Sequence, residues 1–130
     1  MRLTLLLTAL IASAAVAACS DDEGSPEPTG AICPDDSTLT WDNFGSLFFT
    51  TYCTGCHSSD LDGIDRHGAP ADHNFDTLAG VLAEAEHIDE WAAAGPDVVN
   101  TFMPPSTADD FPDESERLDL GEWLACGAPE

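Results

Sequence analysis

The stretch Cys53-Thr54-Gly55-Cys56-His57 decides how the rest of the chain is read. Two thiols three positions apart, followed at once by an imidazole, form the C-x-x-C-H pattern of c-type haem attachment. The spacing has a physical reason. The two sulfurs add as thioethers across the vinyl groups of one porphyrin, and the adjacent His57 then lies under the iron as an axial ligand. A bare C-x-x-C would leave open a thioredoxin-like redox pair or half of a zinc site. The sequence holds no second C-x-x-C, and no strand–helix–strand pattern surrounds this one.

A histidine-ligated iron needs a sixth ligand or an open position. Once a leader carrying Met1 is removed, Met103 is the single thioether of the chain, in Asn100-Thr101-Phe102-Met103-Pro104-Pro105. A core methionine normally fills gaps within helices. Two prolines after Met103 fix φ, remove backbone donors and forbid a helix, so a lone thioether on a rigid extended loop suits a ligand better than a packing residue. His67, His73 and His87 are the competing candidates for the sixth position or a minor metal site, although a solvated loop histidine is the simpler reading of each.

Helical periodicity flanks the motif on both sides. Trp41, Phe44, Leu47/Phe48 and Tyr52 recur at helical spacing behind Thr38 or Thr40 as N-cap. Asp113 and Glu116 have capping-box spacing before Leu118, Leu120/Gly121 and Trp123/Leu124, and Gly127 is placed to end that helix. Residues 75–94 predict one or two short helices, capped by Asp76 or Thr77 and stopped at Gly95-Pro96. Their apolar stripes, Leu78, Val81/Leu82 and Ala85, then Ile88, Trp91 and Ala92, read as haem-pocket wall.

In this order the elements resemble the class I monohaem cytochrome c family, over residues 39–126. The resemblance implies an all-α, cytochrome c-like fold, with N- and C-terminal helices crossed around one covalently bound haem c and its iron. It implies that Gly45, eight residues before Cys53, permits the close crossing. It also implies that Phe49, four before Cys53, packs on Trp123, and that His57 and Met103 are the axial ligands. A family proline carbonyl accepts the proximal imidazole proton, and Pro70 is the best match here, with the offset leaving the acceptor open.

The N-terminus has its own pattern. Met1-Arg2, an apolar run to Ala18 and then Cys19 resemble a bacterial lipoprotein signal, giving a signal peptide over 1–18 and lipid on Cys19. Residues 19–32 are acidic, Pro/Gly-rich and nearly free of large apolar side chains, which predicts a tether. The cytochrome domain then spans 33–127. With Cys19 lipidated and Cys53 and Cys56 on haem, Cys33 and Cys126 remain. They lie near the two terminal helices, whose ends can meet in the implied crossing, and an oxidising envelope compartment permits a disulfide. Ser20 after the cysteine resembles outer-membrane lipoproteins facing the periplasm, while the acidic stretch also fits surface exposure.

Composition narrows the partners. The 130 residues carry 25 acids against three arginines and no lysine, for a net charge of −22. That balance excludes nucleic-acid binding, which needs a Lys/Arg footprint, and excludes adhesion to anionic head groups. The membrane is reached through the lipid anchor only. The expectation is therefore a monomeric, lipid-anchored one-electron carrier rather than an enzyme, docking redox proteins through a basic face on the partner. Two alternatives stay open: a gas-binding or peroxide-reactive haem protein with a labile Met103, and a haem-free, disulfide-bonded acidic surface module.

Overall fold

The computed structural model describes residues 24–130. The signal segment 1–18 and the lipidation candidate Cys19 lie outside them. The described residues are helical, with a single antiparallel bridge between Ala94 and Val99. A π-helical turn, Trp41–Gly45, runs into α1, Ser46–Tyr52. A 3-10 turn at Gly63–Arg66 follows the motif. Then come α2, Leu78–Ala83, α3, Ala85–Ala92, and α4, Glu114–Ala125.

Side chains that satisfy the free backbone groups set the helix boundaries. Thr40 starts the first helix: its hydroxyl accepts from Asn43 N–H, while Asn43 Oδ1 accepts from Thr40 N–H at 2.8 Å. Thr77, not Asp76, caps α2, because Asp76 is occupied by Ser59. Asp113 and Glu116 form the reciprocal capping box of α4. At its far end Gly127, at φ +81°, lets Ala128 N–H reach Trp123 O and Gly127 N–H reach Leu124 O, the paired bonds of a Schellman stop.

The core joins α1 to α4. Phe49 and Trp123 are buried with ring centroids 6.0 Å apart, and Trp41 stacks on Phe49 at 6.1 Å. Gly45 sits where a Cβ would come within 2.9 Å of both Trp123 and Trp41. A second glycine, Gly121, lets α4 pass against the Ala94 carbonyl, into which any Cβ would collide. Leu120 and Val81 complete the centre, and the Cys33–Cys126 disulfide closes the ends with Cα atoms 4.7 Å apart.

Three expectations require correction. Glu27 to Ala31, placed in the tether, belong to the folded body. Thr29 is fully buried and gives its N–H and hydroxyl to the Asp89 carboxylate at 2.9 and 2.6 Å, and Asn100 Nδ2 donates to Glu27 O at 2.7 Å. Polar bonds order this strap without apolar burial, which is why its composition conceals it. On α4, Arg117 rather than Leu118 takes the inward position. It shares a face with Leu120 and Gly121, whereas Leu118 is 43% exposed. The stripe of α2 is divided between core and solvent, with Val81 buried and Leu82 exposed; pocket-lining side chains come from α3.

Candidate functional site

The motif occupies the turn that ends α1. Cys53 N–H still bonds Phe49 O, and His57 N–H bonds Cys53 O at 2.9 Å, so the chain makes one more helical turn through the motif. On that turn Cys53, Cys56 and His57 stand at i, i+3 and i+4, on one side. All three line a cavity of about 730 Å³, within the usual range for small-molecule and cofactor sites. Met103 lines the same cavity from the other side of the sequence, as do Pro70 and Arg66. α3 contributes His87, Ile88, Trp91 and Ala92 to its wall.

His57 is held from three directions. Its carbonyl accepts from Phe75 N–H at 2.8 Å, and its ring stacks on Phe75 with centroids 4.7 Å apart. Its Nδ1 faces the His73 carbonyl at 3.2 Å. A carbonyl can only accept, so Nδ1 carries the proton and Nε2 keeps a free lone pair, the tautomer a metal ligand requires. Burial lowers the His57 pKa, and the His73 carbonyl partly opposes that shift. Pro70 is not the acceptor: its own carbonyl is taken by Arg66 Nη2 at 2.5 Å, and the imidazole meets a carbonyl three residues further on.

Both cysteines of the motif are free thiols. Burial pushes Cys53 up to about 12, with Arg117 pulling slightly the other way. A thiol so raised is the opposite of the acidic, exposed nucleophile that a thioredoxin-like pair uses. Among the described residues no group of three or more His, Cys, Asp or Glu side chains is arranged to hold a metal ion. His73 instead has Nε2 3.4 Å from Glu84 Oε2, and its ring lies between those of His57 and His87.

Met103 is fixed through its backbone. Its N–H donates to Trp91 O at 2.9 Å, and its carbonyl accepts from Arg117 Nη1 at 2.8 Å. The same nitrogen donates to Ala92 O and Asn100 O at 2.6 and 2.9 Å, so one buried guanidinium ties α4 to the end of α3 and the Met103 loop. Burial lowers the Arg117 pKa. Arg66 does similar work in the loop after the motif, donating to Ser58 O, Asn74 Oδ1 and His73 O. Sequence reasoning missed both arginines. Their local signal was slight: in a lysine-free chain, Arg117 stands at i−3 and i−4 from the core positions Leu120 and Gly121.

The donor set fits a covalently attached haem: two free thiols and an imidazole of the right tautomer on one wall, with a thioether on the loop that completes the same cavity. No family model, curated protein or solved structure matches the chain.

Proposed function

We propose that the protein is a one-electron carrier of the class I cytochrome c kind, anchored by lipid at Cys19 in a bacterial cell envelope. The strongest support is the convergence of Cys53, Cys56, His57 and Met103 on one cavity although Met103 is remote in sequence. Cys53 and Cys56 would hold haem c as thioethers, and His57 and Met103 would be its axial ligands. When bound, that group supplies an Fe(III)/Fe(II) couple, and histidine/methionine ligation raises its potential.

The chain's own residues do the rest. The His73 carbonyl fixes the orientation and tautomer of His57. Trp91 and Arg117 pin the backbone on both sides of the Met103 side chain, so the thioether is offered with little ordering cost. Ile88, Trp91 and Phe49 give the cavity wall an apolar lining. If His57 and Met103 both held the iron, no coordination site would be left for substrate, which favours a carrier over a peroxide- or gas-reactive protein. The acidic surface would steer a partner with a basic docking face.

The test is mass spectrometry of the protein purified from a host with haem-attachment machinery, followed by its absorption spectrum. The expected result is one haem per chain, acyl chains on Cys19, and the weak far-red band of methionine–iron ligation in the oxidised form. A chain without haem would overturn the proposal. A haem protein lacking that band and binding CO rapidly when reduced would replace the carrier with a ligand-reactive site.

A further inference from the structure

Arg66 is 5% exposed, lines the cavity, and has no carboxylate among its hydrogen-bond partners. Those partners are backbone carbonyls and the Asn74 amide oxygen. Nη1 donates to Ser58 O at 2.5 Å and to Asn74 Oδ1 at 2.9 Å, and Nε donates to Ala69 O at 3.3 Å. Nη2 forks onto Pro70 O at 2.5 Å and His73 O at 2.9 Å. The last oxygen is the one that faces His57 Nδ1. One carbonyl therefore serves two donors, a cation and the imidazole of the motif.

We propose that Arg66 sets the electron affinity of the site by sharing the His73 carbonyl with His57. This rests on the haem reading above. An oxygen already accepting from a guanidinium is a weaker acceptor for a second proton. His57 Nδ1–H is then less drawn toward the carbonyl, the ring carries less imidazolate character, and Nε2 is a poorer donor to a metal. Fe(III) depends on that donation more than Fe(II), so the reduced state gains. The field of this buried cation, which no carboxylate meets in a direct hydrogen bond, acts in the same direction and is screened less than that of the surface acids.

The step concerned takes one electron from an external one-electron donor and converts Fe(III) to Fe(II). No bond to His57 breaks and no proton moves. In the test an electrode with soluble mediators is that donor. Midpoint potentials of the haem-loaded full chain are compared with those of Arg66→Gln, which removes the charge, and Arg66→Lys, which keeps the charge but cannot fork. Arg66→Gln is expected to shift the reduction equilibrium about tenfold toward Fe(III), a fall of ~59 mV for one electron. Arg66→Lys should shift it the same way by about threefold, roughly half that potential change. Both should keep the far-red methionine band.

A haem-loaded variant with the wild-type potential overturns the inference. So does a fall accompanied by loss of the methionine band, which would make Arg66 a strut for the loop. If Arg66→Gln does not take up haem, Arg66→Lys decides by the same criterion. Absence of haem from the wild-type protein defeats the carrier reading and this inference together, whereas a haem-loaded wild type with insensitive variants defeats the inference alone.

Discussion

Tyr52 and Glu116 show how one residue pair links the motif's helix to α4. The phenol donates to both carboxylate oxygens, at 2.8 and 2.9 Å, while Glu116 Oε2 also receives Asp113 N–H of the capping box. Burial first and then Glu116 push the phenol up to about 12. The unfolded phenol ionises near 10. Between those values the unfolded state loses its proton and the folded state does not, so stability should fall as pH rises from about 10 to 12. Tyr52 is the chain's single tyrosine, so ultraviolet titration reports it alone. Glu116→Gln should lower its pKa toward, but not to, the ordinary value, because burial remains. Tyr52→Phe should abolish that alkaline loss of stability. An unshifted phenol in the wild type would contradict the bond. The acceptor of His57 illustrates the limit of legibility at this scale: residue types placed the imidazole, but which carbonyl it meets depends on the path of a loop whose shape Arg66 imposes by long side-chain bonds.

Among the elements, α1 and α4 were the most readable, because caps and periodicity are local. Thr40 and Asp113 stand where hydrogen bonding requires them, and Gly127 ends α4 through its positive φ. Gly45 could be selected only through the family resemblance, which singles out the position eight before Cys53, whereas nothing local marks Gly121 as a contact. Its importance comes from the Ala94 carbonyl, which another part of the chain brings against α4. The two glycines should respond differently to alanine. At Gly45 the new methyl meets the edges of Trp41 and Trp123, which can shift, for a cost of about 1–3 kcal/mol. At Gly121 it meets backbone, so Gly121→Ala should cost more and lower the denaturation midpoint further. Equal or reversed midpoints in chemical denaturation would show that the Ala94 segment moves aside more readily than the tryptophans. The Arg117 clamp was illegible for a related reason: three carbonyls from two chain segments meet one guanidinium, and no sequence period encodes such a meeting.

Across the whole molecule, the Cys33–Cys126 bond closes a loop of 93 residues, almost the full described body. On the chain-entropy model such a loop stabilises the fold by about 4–5 kcal/mol. Replacing both cysteines by serine should therefore lower the unfolding free energy by several kcal/mol, measured with denaturant under the same conditions for both proteins. A loss below about 1 kcal/mol would mean that the core aromatics and the terminal contacts, including Trp41 N–H to Pro129 O at 2.7 Å, already hold the ends together. The pairing could be foreseen only once helix order was combined with cysteine bookkeeping.

The strap at residues 27–31 changes how far an anchored domain can roam. With Glu27 pinned to Asn100, a lipid on Cys19, as proposed above, would be separated from the folded body by residues 20–26 rather than by the whole acidic stretch. Seven residues of any chain reach at most about 25 Å when fully extended. That is less than the diameter of the domain itself, roughly 34 Å for about 100 residues with a radius of gyration near 13 Å. A lipid at Cys19 would thus confine the cavity mouth to a shell one molecule deep above the bilayer. On the carrier reading proposed above, electrons would then be exchanged with partners embedded in, or lying flat on, the same membrane, and a shuttle across a wide aqueous gap would need a longer segment than this strap leaves.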